Sequence, residues 1–217
     1  AQWQAMLDGF VRADAAADAA PPGTVATHLD DREARQLFAI GHGLRHRDVP
    51  VVCPVAFLER RVGLGRWRSV LLTERRDEAN SLGALACGHG LSDDRWANAA
   101  WRRRALAAAG RLLAHAFCLG VRWPKADPSS IWIECDADAP DRPRALVGSL
   151  AGWALPDQPP LRLDGRQARI AVADVQGFCP AACVEDADAL VGAFRGYVQT
   201  EHAGLDSEAS QPSERGV

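Results

Sequence analysis

Leu119-Gly120-Val121-Arg122-Trp123-Pro124-Lys125-Ala126-Asp127-Pro128-Ser129-Ser130-Ile131-Trp132-Ile133 passes through three kinds of local structure in one short span. Upstream of it, residues 94–119 read as a long helix. Leu106, Ala109, Leu113, Ala116 and Phe117 recur on one stripe at helical spacing. Gly120 then stops the helix, because glycine accepts the left-handed conformation of a C-terminal cap. Residues 121–130 carry two prolines and an Asp-Pro pair, the composition of a loop. Ile131-Trp132-Ile133 follows as a short strand.

Further from this span the pattern is a small α/β part on one side and more helix on the other. Residues 1–20 show a short helical pattern that decays into an Ala/Asp-rich segment broken by Pro21-Pro22-Gly23. Residues 24–28 read as a strand. A helix is expected over 32–46, with Asp30 or Asp31 as its N-cap. Residues 49–57 are extended, and their prolines limit them to an edge or a bent strand. Gly63-Leu64-Gly65 marks a turn between 55–60 and 67–73, an antiparallel hairpin. Residues 75–92 are polar and glycine-rich. A strand over 145–150 should pair with 131–133 across an acidic, proline-containing turn. A loop through 155–166 and a mixed segment lead to a helix over 185–200. The implied fold class is α+β with two unequal lobes. Residues 1–75 form a reduced N-lobe, 76–203 a mainly helical C-lobe, and 204–217 a tail of disordered composition.

The 217 residues are 47% apolar and 24% charged, enough for a sizeable core and unlike a disordered, collagenous or coiled-coil chain. The net charge of −3 argues against nucleic acid as the main partner. Arg102-Arg103-Arg104 reads as the solvated face of a helix rather than a phosphate contact. Six cysteines at wide spacing read as reduced thiols of a cytoplasmic protein, with Cys53 and Cys118 as small buried hydrophobes. Cys179 and Cys183 have no second pair nearby, so no zinc site is expected. No apolar run is long enough for a membrane span, and no secretory signal is visible. Of the 25 basic residues, all but Lys125 are arginine. Any mechanism that needs a lysine before residue 125 is therefore excluded.

Several strings, in order, resemble the lipopolysaccharide kinase family. Its members have a protein-kinase-like fold and phosphorylate sugars of the lipopolysaccharide core. Arg32-Glu33-Ala34-Arg35-Gln36-Leu37 followed by Asp48-Val49-Pro50-Val51 is similar to the family's acidic helix and "G-V-P-V-P". Trp67-Arg68-Ser69-Val70-Leu71-Leu72-Thr73-Glu74 and then Ser81-Leu82 are similar to its strand "R-A-v-L-V-T-E" and following "s-L". Leu119-Gly120 and residues 128–133 sit where the family has "H-x-x-G … H-x-D-L-Y-P-K-H-I-F-I". Asp174-Val175 resembles a later "D-L", and residues 194–198 the terminal "f-…-Y". The resemblance covers roughly residues 30–200.

What the resemblance implies for catalysis is mostly missing. Phosphoryl transfer is largely positioning and charge neutralisation. The family's phosphate-holding lysine has no counterpart. His28 or Arg32 could stand there, but neither reproduces a compact ammonium. Glu33 then lacks its partner and reads as a first-turn acid stabilised by the helix dipole. Aligned on Pro128, the catalytic carboxylate becomes Lys125 and the preceding histidine Trp123. A cation cannot accept the hydroxyl proton at neutral pH. Asp127, two residues on, is the one candidate catalytic group, through a shifted loop. The simpler reading of it is an Asp-Pro turn. The family's "K-H" becomes Ser129 and Ser130. Its metal-binding aspartate becomes Ser149, and the following glutamate Ala151, a poor set for magnesium. Asp174 is expected to survive for structure, since its kinase counterpart ties down the catalytic-loop backbone.

Other constellations are weak. Gly41-His42-Gly43 and Gly88-His89-Gly90 have no base or second ligand at a fixed spacing. His115 reads as a satisfied core histidine, and Gly63-Leu64-Gly65 lacks the third glycine of a phosphate loop. Trp67, Trp132 and Trp153 are expected in the core or lining the cleft. The resulting expectation is an inactive kinase-like protein, with Glu33, Trp123, Lys125, Ser130, Ser149 and Asp174 as a vestigial cleft. It would bind a protein partner or a sugar-lipid ligand near core-sugar biosynthesis, with no metal and no confident cofactor. The alternatives are an active sugar or small-molecule kinase that uses ATP, magnesium and Asp127, and an unrelated α+β binding domain.

Overall fold

The computed structural model describes residue 20 and residues 22–77, 79–87, 94–136, 138–156 and 165–209. The helix expected over 1–20, the Gly88-His89-Gly90 string and the residues after 209 lie outside these.

The first sheet is formed by β1 (Thr24–Asp30), β2 (Pro54–Arg61) and β3 (Trp67–Glu74) in the antiparallel order β1-β3-β2. The expected hairpin is present, and β2 is an edge strand that begins at its proline. Alternation along β3 sends Trp67, Ser69 and Leu71 to one face and Val70 and Leu72 to the other. Leu71 joins the main core, whereas Val70 and Leu72 form a second cluster with Ala26, Ala56 and Leu58. Helix α1 (Glu33–Arg45) packs on the first face. Its expected cap is corrected by the structure. Neither Asp30 nor Asp31 caps it; the N-cap position is Arg32, without a side-chain bond, and Asp31 lies in the left-handed region at φ 50°. The free N–H of Ala34 is instead taken by Ser69 Oγ at 3.3 Å, from the strand beneath.

Residues 49–52 connect the two halves. Val52 donates to Val147 O and Val147 donates to Pro50 O, each at 2.9 Å. The second sheet has the antiparallel order β4 (Asn80–Ser81), β5 (Ile131–Asp136), β6 (Ala139–Val147). The strand expected over 145–150 thus starts earlier and ends sooner. It runs through Pro140 and Pro143, which an edge strand tolerates because one side of its ladder needs no donor. Short helix α2 (Leu82–Ala86) is capped by Ser81, whose Oγ accepts from Ala84 N at 3.0 Å.

A 3-10 turn (Asp94–Ala97) leads into α3 (Ala99–Cys118). Asn98 Oδ1 caps α3, accepting from Ala100 N at 3.0 Å and Trp101 N at 3.1 Å. Its other end matches the expectation for Gly120, which adopts φ 76°. Gly120 N donates to Phe117 O and Val121 N to Ala116 O, the two bonds of a Schellman cap. After the second sheet come α4 (Gly165–Gln176), a 3-10 turn (Ala181–Asp186) and α5 (Ala187–Ala209). Helix α4 occupies the segment read as mixed. Helix α5 continues past residue 204, where the tail was expected to begin.

The core lies between α3, α5 and the inner faces of the sheets. Phe117, Phe178 and Phe194 are almost fully buried there. Each such side chain stabilises the fold by about 1.5–3 kcal/mol through removal from water. His115 meets the expectation of a satisfied histidine, with Nδ1 2.8 Å from the Tyr197 hydroxyl. Arg103 and Arg104 of the arginine run are exposed, as expected of a solvated helix face. Arg102 is half-buried and pairs with the buried Asp186 at 2.5 Å, Arg103 pairs with Asp188 at 2.8 Å, and Arg104 reaches Asp141 at 3.5 Å. Those charges are used inside the molecule. The six cysteines are free thiols. Cys53 and Cys118 are half-buried rather than buried, and the Cys53 sulfur accepts from the Arg45 guanidinium at 2.8 Å.

Candidate functional site

The loop after Gly120 alternates between core and solvent. Val121 and Trp123 are buried, while Arg122, Pro124 and Lys125 are exposed. Two mutual backbone bonds hold the loop to the following segment: Arg122 N to Ala154 O at 2.9 Å and Ala154 N to Arg122 O at 2.8 Å. The close approach depends on Gly152, which lies at φ 82°. A Cβ there would stand 2.5 Å from Ala126 N and from the Lys125 carbonyl carbon.

Trp123, at the position of the family's histidine, is an aromatic wedge. Its ring centroid lies 5.9 Å from that of Trp153, 6.2 Å from Phe178 and 6.4 Å from Phe117. The Nε1 groups of Trp123 and Trp153 are both buried without an acceptor. Lys125 points to solvent and enters no ion pair among the described residues. Trp153 is in the core as expected; Trp132 and Trp67 are half-buried, with the Arg32 guanidinium 4.0 Å over the Trp67 ring.

Asp127 is exposed and has a local task. Its Oδ1 accepts from Ser129 N at 2.7 Å, and its carbonyl accepts from Ser130 N at 3.0 Å and Ser130 Oγ at 2.7 Å. The carboxylate thereby caps the 3-10 turn (Pro128–Ser130) that opens β5. Ser130 is buried, and its carbonyl accepts from Gly148 N at 2.9 Å and Ser149 N at 3.2 Å. The fold therefore brings Ser130 and Ser149 together, as the resemblance implied, but as neutral groups bonded through backbone.

Glu33 is exposed in the first turn of α1 and has no ion pair among the described residues. The helix is tied to the sheet by a different pair: Arg35 binds Glu59 of β2 at 2.7 Å. His28 is exposed on β1, and Arg32 is occupied by Trp67. Asp174 is exposed near the end of α4. No bond from its carboxylate to the 121–130 loop is present among the described residues. It does share a cavity of about 720 Å³ with Asp127, walled by Phe117, Trp123 and Phe178 and bordered by Arg122. Sequence reasoning missed Phe178 and Arg122 here, since no local pattern marks which loop residues face a later helix.

These residues do not fit a magnesium nucleotide. The resemblance sets Ser149, a poor magnesium ligand, at the metal position, and no group of three or more His, Cys, Asp or Glu among the described residues is arranged to hold a metal ion.

Residues 25–122 match the model of the lipopolysaccharide kinase (Kdo/WaaP) family. No curated protein matches the chain at a significant level. Among solved structures, the chain is similar to WaaP in complex with acyl carrier protein. That match has a TM-score of 0.55 and 18% identity, and covers 87% of this chain and 83% of that chain. A weaker likeness, to the Drosophila melanogaster PAN3 pseudokinase, has a TM-score of 0.40 and 13% identity, covers 85% of this chain and 47% of that one, and carries no argument. The WaaP likeness bears out the two-lobed, protein-kinase-like α+β fold, and the family match bears out the resemblance over residues 25–122. Among the described residues, no helix is long and apolar enough to cross a membrane.

Proposed function

Starting from a lipopolysaccharide kinase family match over residues 25–122 and a kinase-like fold, we propose that this chain is a pseudokinase. It acts in the cytoplasm as a binding or scaffold protein beside lipopolysaccharide core biosynthesis. One observation carries the reading. The resemblance sets the exposed cation Lys125 at the base position, and the Oδ1 of the next carboxylate along the chain, Asp127, caps the Ser129 N–H. Lys125 cannot accept a proton from a sugar hydroxyl at neutral pH, and one oxygen of Asp127 is held by the turn. The similar WaaP structure holds acyl carrier protein, which supports a protein as a partner of this chain.

One feature favours an active ATP-dependent kinase instead: Asp127 and Asp174 border the same cavity. Thermal shift with ATP and magnesium separates the two readings. A ligand at about a hundredfold over its Kd stabilises by about 2.7 kcal/mol. The pseudokinase reading expects no magnesium-dependent rise in Tm and no ATP turnover with core oligosaccharide. A magnesium-dependent rise that disappears in Asp127→Ala would overturn it.

A further inference from the structure

The hairpin joining β2 to β3 ends in Arg60-Arg61-Val62-Gly63-Leu64-Gly65-Arg66-Trp67-Arg68. Leu64 is 95% exposed and Val62 44% exposed at its tip. A single exposed apolar residue needs no explanation. Here the pair sits inside a run of four arginines with no acid between them. Arg61, Arg66 and Arg68 enter no ion pair among the described residues, whereas Arg35, Arg76, Arg102, Arg103 and Arg104 all do. Arg61 bonds only to Gly63 O, at 3.1 Å. Asp30 is the register partner of Arg68 on β1, and the two form no ion pair among the described residues.

The tip is also held out from the body. Val62 N donates to Arg66 O at 3.0 Å and closes the turn. Gly65 takes φ 74° at no steric cost, and Trp67 is pinned under Arg32. Nothing lies within 4 Å of a Cβ built on Gly63 or Gly65. The result is an exposed apolar point flanked by arginines.

We propose that this hairpin docks on an anionic phospholipid bilayer. Leu64 and Val62 enter the boundary between headgroups and acyl chains, and Arg61, Arg66 and Arg68 meet the lipid phosphates. A basic collar plus an apolar insertion supplies the two signals that stable peripheral attachment needs. Nucleic acid would use the arginines but leave Leu64 without a role, and the whole chain is acidic.

Co-sedimentation of the full chain with vesicles tests this, at about 0.1 M salt so that screening is moderate. One vesicle set is phosphatidylcholine alone; the other contains equal parts phosphatidylcholine and phosphatidylglycerol. Binding is expected only to the charged set. Each arginine contributes about fivefold, so R66E/R68E should weaken binding by roughly 25-fold or more. L64D should weaken it about tenfold, with circular dichroism and Tm unchanged for both variants. Equal binding to neutral vesicles, no binding to charged ones, or wild-type binding by both variants would overturn the proposal. So would tight binding to a short DNA duplex that R66E/R68E abolishes and L64D keeps.

Discussion

Asp127 Oδ1 lies 2.7 Å from the backbone nitrogen of Ser129, one residue past Pro128. The proline fixes its own φ and has no N–H to offer. The carboxylate therefore reaches the next donor and closes the turn that launches β5. Asp127→Ala removes this cap and should cost about 1 kcal/mol in denaturant unfolding, whereas Asp127→Asn should cost less, since an amide oxygen caps equally well. A catalytic role would show no such ranking in a phosphotransfer assay, with both variants dead.

Gly152 should be intolerant of any side chain. Gly152→Ala places a methyl 2.5 Å from the 125–126 backbone at a left-handed φ. We expect a loss of about 2–3 kcal/mol, read from the urea midpoint at constant slope. Wild-type stability in this variant would mean that the 121–126 loop does not rest on residue 152.

Trp123 should behave as core. Trp123→Ala is expected to cost about 3–5 kcal/mol. Trp123→Phe keeps the packing against Phe117, Trp153 and Phe178 and removes a donor that has no acceptor, so its cost should stay below about 1.5 kcal/mol. Equal losses for the two would point to an acceptor at Nε1.

Burial pushes the thiols of Cys118 and Cys179 from an ordinary 9.0 up to about 11. At pH 8 both should resist iodoacetamide while the exposed Cys87 reacts, as peptide mass mapping would show. The sign for stability follows. Between about 9 and 11 the unfolded chain releases these protons and the folded chain keeps them. The contribution is complete below pH 9 and is lost as pH rises toward 11. A flat Tm across that window, or one that increases, would contradict the burial of both thiols.

The arrangement of elements was readable wherever a pattern repeats over neighbouring residues. Alternation gave the hairpin of β2 and β3, and the stripe from Leu106 to Phe117 with Gly120 behind it gave α3 and its cap. Helix α4 was missed because the apolar residues in 165–176 are mostly small and the stretch is flanked by turn-like composition. The start of β6 was missed because Pro140 and Pro143 look like breakers until the strand is known to be an edge. For the candidate site, the sequence located the replaced positions but not their surroundings. Trp123 could have faced a cleft or the core; the structure packs its ring against Trp153 and Phe178 while it also walls the cavity beside Asp127.

By itself, then, the sequence determined chemical identities: Lys125 is its single lysine, with Trp123 and Asp127 two residues to either side and Ser149 further on. Those are statements of chemical identity, and no folding can change them. The tertiary structure alone decided the partners. Ser69, 35 residues from Ala34, caps α1. Asp186 and Asp188 take up Arg102 and Arg103 from more than eighty residues away. It also decided that Leu64 stays in water. Local preference acts through contacts within a few residues, whereas charge pairing and burial depend on which distant segments the closed chain brings within a few ångströms.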